Sequence, residues 1–182
     1  MSTDITKQGI VHAIGSGTNK NFILNSLDQN QNISTYNVKV YTMSEKLTSG
    51  KTYTWSMRAN LSPERHWVGV WFGGGSYSAG YISRNNHGYY YRTFTADANI
   101  ANYLTVYIYS ASVDGMQGST AITGTTQIDW IKIEEGSVPT GWSPNPNDID
   151  YQLFNTSTGF IELDNTARIY KERIDANQFY EI

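Results

Sequence analysis

Apolar and polar side chains alternate with a period of two along much of the middle of this chain. The clearest run is 51–61, whose apolar members are Tyr53, Trp55, Met57, Ala59 and Leu61. Because successive side chains of a strand point to opposite faces, this run predicts a strand with one buried face. Similar runs predict strands at 36–42, 67–72, 89–96 and 103–110 and around Ile131 and Ile133, with Phe94 and Val106 among the buried side chains.

The segments between these runs are rich in turn-forming residues. Gly73, Gly74 and Gly75 open a stretch that continues to Gly88 and is so glycine-rich and polar that we expect a loop there, not a core strand. We count about eight short strands and no convincing amphipathic helix. This pattern predicts an all-β fold, an antiparallel two-sheet β-sandwich of the jelly-roll kind with extended N- and C-terminal arms.

Composition narrows the possible functions. The 182 residues suit one domain with appendages, and the net charge of -3 without a Lys/Arg cluster argues against a nucleic acid partner. Cysteine is absent, which excludes disulfides, thiolate metal sites and a Cys nucleophile. The start of the chain lacks a signal-peptide pattern, and no run of ~18 apolar residues is present, so we expect synthesis in the cytoplasm and no membrane insertion.

The stretch 125–148 contains the last predicted strand and the residues that end it. Gly136 ends the strand, and Pro139, Pro144 and Pro146 cannot donate ladder hydrogen bonds, so we expect an irregular strap along the body. The motif Ile-Lys-Ile-Glu-Glu-Gly-Ser-x-x-Thr-x-Trp-x-Pro at 131–144 resembles the closing signature of carbohydrate-binding-module-like (galactose-binding-like) jelly rolls in bacteriophage tail proteins. Segments 47–57 and 91–96 resemble two further strands of those modules.

The resemblance implies a domain organisation and a setting. It covers a jelly-roll domain at 22–146, which leaves an N-terminal arm at 1–21 and a C-terminal assembly or attachment arm at 147–182. It implies a non-enzymatic virion component of a tail, fibre or baseplate, made in the host cytoplasm, that binds host-surface glycans. Because each arm holds only short apolar strands, we expect the arms to pair with other tail proteins or with other copies in a homo-oligomer such as a trimer.

Aromatic residues supply the candidate glycan site. Flat rings stack on the C–H faces of sugars while polar side chains bind the hydroxyls. The candidate rings are Trp67, Trp71, Tyr77, Tyr81, Tyr89 and Tyr91, and the candidate polar partners are Arg65, His66, Asn85, Asn86 and Arg92. In the alternative, the tryptophans fill the second face of a buried strand and the tyrosines are half-exposed strand formers.

A metal site and catalysis rest on fewer residues. The resemblance implies that Asp129 helps to bind a structural calcium ion; the alternative is a strand-edge carboxylate bound to a backbone amide or a nearby lysine. Glu134 and Glu135 are adjacent in a predicted strand and so point to opposite faces, which prevents them from flanking one glycosidic bond. No third group orients Glu64 and His66, so we predict no catalytic residue and no cofactor beyond the calcium.

Three functions stay open on this basis. The first is the glycan-binding virion component described above. The second is a purely structural virion protein whose aromatic face is a subunit interface. The third is a polysaccharide-degrading enzyme, for which a convergent carboxylate pair is missing from the pattern.

Overall fold

A computed structural model describes residues 19–27, 31–114, 122–148, 154–155 and 160–161. Within these residues the strands are β1 (Asn37–Thr42), β2 (Thr52–Leu61), β3 (Trp67–Phe72), β4 (Tyr77–Ser83), β5 (Tyr89–Thr95), β6 (Thr105–Ala111), β7 (Thr126–Glu135), β8 (Phe154–Asn155) and β9 (Phe160–Ile161). Short 3-10 turns lie at Gly73–Gly75, Ile100–Asn102 and Pro146–Asp148. No helix in the described part of the chain is long and apolar enough to cross a membrane.

The longer strands form two antiparallel sheets. One sheet has the order β1-β6-β3-β4 and the other the order β5-β2-β7, while β8 and β9 pair with each other. The predicted all-β, two-sheet β-sandwich is therefore confirmed. Most of the predicted arms, at 1–18 and beyond residue 148 apart from β8 and β9, lies outside the described residues.

The core lies between the two sheets. The predicted buried side chains Tyr53, Trp55, Met57, Val106, Ile131 and Ile133 are each at most 1% exposed, and Phe94 is half-buried against them. The indole Nε1 of Trp55 donates to the carbonyl of Ala79 across the sandwich at 3.0 Å. The period-two pattern thus assigned the core face of β2 correctly.

Strand β4 is where the sequence prediction is wrong. The glycines at 73–75 do form a turn with positive φ, but Tyr77–Ser83 pairs with β3 as an edge strand of the four-stranded sheet. An edge strand needs few apolar side chains, and Ala79 is the only buried residue of this one. Gly80, at φ +94, lies beside the register shift between Gly69 and Trp71 and so allows a kink that a glycine-poor strand would resist.

The proline strap, defined here as residues 139–146, runs over the outer face of β7. Its Thr140 backbone N–H donates to Oε1 of Glu134 at 2.8 Å, and Lys132 Nζ donates to the carbonyl of Gly141 at 2.9 Å. Further along, the Asn145 amide donates to the carbonyl of Asn21 at 2.7 Å. These bonds fix the strap against the sandwich and limit how much of the outer face of β7 stays uncovered.

Candidate functional site

The outer face of the four-stranded sheet carries a packed outer aromatic cluster. Its buried members are Trp67, Trp71, Tyr109 and Ala111, with Tyr36, Tyr81, Tyr107 and Ile122 packed against them. Trp67 and Trp71 lie 5.5 Å apart by ring centroids and are only 1% and 5% exposed. The indole N–H of Trp67 donates to the carbonyl of Val113 at 2.9 Å. The flat faces of both tryptophans therefore contact other side chains and are closed to a sugar in this conformation.

This burial bears on the predicted glycan site. It favours the alternative in which Trp67 and Trp71 fill the second face of a buried strand. Tyr81 joins the same cluster, with its ring 5.3 Å from that of Trp67. Tyr77 lies elsewhere and packs beside Tyr103 at 5.6 Å.

Arg65, predicted to contact sugar hydroxyls, is instead fully buried. Its guanidinium donates to the carbonyls of Ser110 at 2.7 Å, Thr35 at 3.2 Å and Gly124 at 3.1 Å. Burial lowers its pKa from the ordinary arginine value. A side chain that is surrounded by backbone carbonyls and has no solvent access has a structural role. The predicted contact between Arg65 and a sugar is therefore wrong.

Two other predicted polar partners have structural roles. His66 Nδ1 lies 2.9 Å from Oδ1 of Asp114. Asn85 builds the turn between β4 and β5, because its Oδ1 accepts from the N–H groups of His87 and Gly88 and its amide donates to the carbonyl of Tyr89.

The outer face of the three-stranded sheet, in contrast, carries rings that solvent reaches. Arg58 in β2 pairs with Tyr89 of β5 on one side and Trp130 of β7 on the other. The Tyr89 ring lies 5.8 Å from the Tyr91 ring and 5.8 Å from the Trp130 ring. Tyr91 is 51% exposed, and Tyr89 and Trp130 are half-buried. We call these three rings the ring strip.

The strap marks the limit of the ring strip. The next outward residues of β7 are Lys132 and Glu134, and both are fully buried. Their ion pair is 3.2 Å long and is capped by Thr140, whose hydroxyl lies 2.5 Å from Glu134 Oε2. One part of this face is thus sealed by the strap, and the part that carries the ring strip is open.

A polar pocket of about 390 Å³ adjoins the ring strip. Its polar lining comes from Arg58, Asn60, Arg84, Asn85, Asn86, His87 and Asp129. Arg58 is also the residue that pairs with Tyr89 and Trp130, so the pocket and the ring strip are continuous. A flat apolar surface beside a pocket of hydrogen-bonding groups has the two ingredients that a sugar ring needs.

Asp129 lies in this pocket and not in a cluster of carboxylates. Its Oδ2 is 3.6 Å from Arg58 Nε, and its Oδ1 accepts from the Gln127 amide at 3.4 Å. Among the described residues no group of three or more His, Asp or Glu side chains could hold a metal ion. The contacts favour the alternative of a carboxylate bound to a nearby cation, with arginine in place of the lysine considered above.

A second cavity, the edge groove, lies between strands β4 and β5. It measures about 450 Å³ and includes Tyr81 and Arg92, two of the residues that the sequence proposed as glycan contacts. Arg92 Nη1 donates to the carbonyl of Tyr81 at 3.0 Å. The side chain lies so close to Gly80 that a Cβ there would come within 2.5 Å of Arg92 Cδ, so the glycine is what lets Arg92 lie in the groove.

Of the predicted site residues, Tyr89 and Tyr91 belong to the ring strip, Asn85 and Asn86 line the adjoining polar pocket, and Arg92 and Tyr81 meet in the edge groove. The prediction missed Arg58 and Trp130. Both side chains point outward from their strands, next in sequence to the buried Met57 and Ile131, so the period-two alternation could have identified them as outward-facing. The alternation does not give the order of the strands in the sheet, and it is this order that places Trp130 beside Tyr89.

No family model and no curated protein sequence matches this chain. Among solved structures, the chain is similar to the apo form of CBM1 of BiXyn10A, with 21% identity over 60% of this chain and 71% of that one and a TM-score of 0.36. It is also similar to the C-terminal CBM6 of LamC, a marine laminarinase from Zobellia galactanivorans, with 17% identity, coverage of 66% and 94%, and a TM-score of 0.37. Similarity of this low degree does not extend to a ligand, and the β-sandwich assignment stands on the strand pairings of this chain.

Proposed function

We propose that this protein is a non-catalytic glycan-binding module and that the sugar lies on the ring strip of the three-stranded sheet. The observation that carries the proposal is the exposure of Tyr91, together with Tyr89 and Trp130, beside a polar pocket. Adjacent exposed rings on a rigid sheet form a platform that needs little rearrangement to bind. The contrast with the outer aromatic cluster, whose tryptophans are closed, directs the proposal to this face.

The same platform suits a sugar better than an apolar ligand. The strip has only three rings, and its neighbours are charged or amide side chains that can exchange hydrogen bonds with hydroxyls. Burial raises the pKa of the Tyr89 hydroxyl, so this group stays protonated at neutral pH and can donate as well as accept. A ligand with apolar ring faces and a rim of hydroxyls satisfies both parts at once.

The setting belongs to the proposal as well. The closing motif at 131–144 and the two strand motifs support a virion component of a phage tail, fibre or baseplate that binds host-surface glycans. On this proposal the protein is located in the virion. Its terminal arms join it to other tail proteins or to further copies, with a trimer as the expected oligomer.

The test uses the full chain and a panel of host-surface and plant polysaccharides in affinity electrophoresis. Tyr91→Ala and Trp130→Ala should each weaken binding at least about tenfold, equivalent to 1.4 kcal/mol, while the melting temperature stays nearly constant. Tyr107→Ala is the matched control, because Tyr107 is a half-buried tyrosine on the outer face of the other sheet. If no polysaccharide binds, or if Tyr107→Ala weakens binding as much as Tyr91→Ala, the ring strip is not the glycan site.

The structural alternative has its own observation. Val40 is 43% exposed on edge strand β1 and pairs with Tyr107, which borders the outer aromatic cluster. A second copy could bury this surface as a subunit interface. Light scattering on the full chain and on Val40→Glu decides the matter, because a charge at an apolar interface should shift an oligomer toward monomer. An unchanged oligomer would exclude this surface from the interface.

The carboxylates considered for an enzymatic function are already paired with lysine side chains. Glu134 is buried with Lys132 and Thr140, and Glu135 pairs with Lys51 at 2.9 Å. Release of reducing ends from a bound polysaccharide would nevertheless revive it.

A further inference from the structure

A β-bulge in strand β7 turns two successive side chains toward the outer face of the three-stranded sheet. The register of β7 against β2 shifts between Ile128 and Trp130, so Asp129 between them is the extra residue of the bulge. Such a bulge interrupts the alternation of a strand and re-aims a side chain. The flanking Ile128 and Ile131 are buried in the core, whereas Asp129 and Trp130 are only half-buried. An acidic side chain and a ring of the ring strip therefore follow each other on one face.

The contact of Asp129 with Arg58 agrees with this outward direction. Asp129 Oδ2 lies 3.6 Å from Nε of Arg58, the residue of β2 that separates Tyr89 from Trp130. Both charged side chains line the polar pocket, and 60% of the Arg58 side chain and 43% of the Asp129 side chain stay exposed. A pair this long is not a hydrogen bond, so its carboxylate can still accept and its guanidinium can still donate.

The charges around the polar pocket balance one another. Arg58 faces Asp129, and Arg84 lies near Glu64. The pKa of Glu64 is lowered first by its hydrogen bond with Ser62 and, as a smaller effect, by the charge of Arg84. With histidine counted as neutral, two arginines and two carboxylates leave no net charge. An acidic ligand gains no net attraction here, and an anionic group placed next to Asp129 would be repelled.

We propose that Asp129 is the specificity-determining residue of the ring strip and that, together with Arg58, it binds two neighbouring hydroxyl groups of a neutral sugar. This inference rests on the proposed function and states what that site recognises. An ionised carboxylate only accepts hydrogen bonds and a guanidinium only donates them, whereas a hydroxyl group does both. One hydroxyl of the sugar can therefore donate to Asp129 while its neighbour accepts from Arg58.

The bulge is what combines stacking and hydrogen bonding at one place. In a strictly alternating strand, Asp129 and Trp130 would face opposite sides of the sheet. Here both face outward, and a sugar that stacks on Trp130 carries its hydroxyl groups at the rim of its ring, toward the adjoining polar pocket. A site built to bind a hydroxyl discriminates strongly against an analogue that lacks it, because the polar groups of the site are then left without that partner.

The test compares three forms of four neutral polysaccharides on the full chain. The probes are mixed-linkage β-glucan, galactomannan, pullulan and mannan, each in its native form, in a form oxidised at C6 to carboxylates and in a water-soluble, highly O-methylated form. We expect at least one native form to bind, with an affinity that changes less than about twofold as salt rises. Its C6-oxidised form should bind no tighter, and its O-methylated form should bind at least about tenfold weaker because the hydroxyl donors are lost.

Two variants connect this preference to Asp129. Asp129→Asn keeps the size of the side chain but removes its charge, and it should lower affinity for the native form by about tenfold or more. Affinity for the O-methylated form should barely change, a difference that a purely structural role of Asp129 would not produce. Glu135→Gln is the matched control, because Glu135 is an exposed carboxylate near the other end of β7 that pairs with Lys51 at 2.9 Å. It should change neither affinity, and melting curves of both variants exclude misfolding.

The outcomes separate this inference from the proposed function. An Asp129→Asn variant that behaves like Glu135→Gln, an equal loss for native and O-methylated forms, or a C6-oxidised form that binds more than tenfold tighter would overturn the role of Asp129. Loss of binding in Tyr91→Ala would still support the glycan site. If none of the four neutral polysaccharides binds, the inference fails, whereas binding of an acidic polysaccharide would keep the proposed function. If no polysaccharide binds at all, both fail.

Discussion

The buried ion pair between Lys132 and Glu134 allows a quantitative prediction. Both side chains are fully buried, the Nζ to Oε2 distance is 3.2 Å, and Thr140 and Gly141 of the strap complete the hydrogen bonds. Glu134→Gln keeps the size and one carbonyl acceptor but leaves the Lys132 charge without its partner. Removing one member of a buried pair costs about 3 to 5 kcal/mol. At 2 to 4 °C per kcal/mol for a chain of this size, we expect a melting temperature roughly 6 to 20 °C lower.

The pH dependence of this loss has a definite sign. Burial lowers the pKa of Lys132 from its ordinary 10.5, while the charge of Glu134 and its hydrogen bond oppose that shift. Without Glu134 the pKa of folded Lys132 falls further, so the unfolded chain binds the proton more tightly over a wider range. Stability of the variant should therefore rise with pH toward 10.5, by at most about 1.4 kcal/mol per pH unit.

The assay is urea denaturation from pH 6 to 10, followed by tryptophan fluorescence. The control is the double variant Lys132→Met with Glu134→Gln, which has no buried charge and should recover most of the lost stability. Subtracting the double variant cancels the titration of all other groups. A loss below about 1 kcal/mol for Glu134→Gln, or a loss that grows with pH, would refute the view that the strap encloses a charged pair.

Two further substitutions test the packing. Trp55→Ala should lower the free energy of unfolding by roughly 3 to 5 kcal/mol because it removes a large core side chain. Trp55→Phe should lower it by about 1 to 3 kcal/mol because the carbonyl of Ala79 loses its hydrogen-bond donor. Similar losses for both variants in urea denaturation would contradict this separation of the packing and hydrogen-bond contributions. Arg65→Met should cost at least about 3 kcal/mol because several buried carbonyls lose their donor, whereas Arg58→Met on the surface should stay within about 0.5 kcal/mol. Equal effects of the two arginine variants would mean that Arg65 is not a structural arginine.

The sandwich could be predicted from the sequence because burial repeats with the strand period. In β2 every second side chain is core, so Trp55 and Met57 identify the face without knowledge of the partners. The prediction failed at β4, where an edge strand with one buried side chain and a glycine at positive φ resembles a loop in sequence. A strand that pairs along one edge does not need alternating apolar and polar side chains. The position of β4 is therefore determined by its pairing with β3 and not by its own sequence pattern.

The candidate site was harder to predict because it combines side chains from three strands. The sequence grouped Trp67 and Trp71 with nearby tyrosines by their closeness along the chain. In the fold, Trp67 packs into the outer aromatic cluster, whereas Tyr89 meets Trp130, a residue 41 positions later in the chain. Pairing of β5 and β7 with β2 brings these two together, and no local pattern encodes it.

The central strand of each sheet explains why one ring-rich face is closed and the other is open. On the four-stranded sheet, Gly69 of β3 has no side chain, and the Trp71 ring lies so low over it that a Cβ at Gly69 would come within 2.7 Å of Cζ3. Rings that sink onto the backbone in this way bury one another and stabilise the sheet. On the three-stranded sheet, the outward positions of β2 carry Ser56 and Arg58 instead of a glycine, and the Tyr89 and Trp130 rings on either side of Arg58 are only half-buried. The number of rings on a sheet is therefore a poor guide to their exposure, and the residue at the centre of the sheet is a better one.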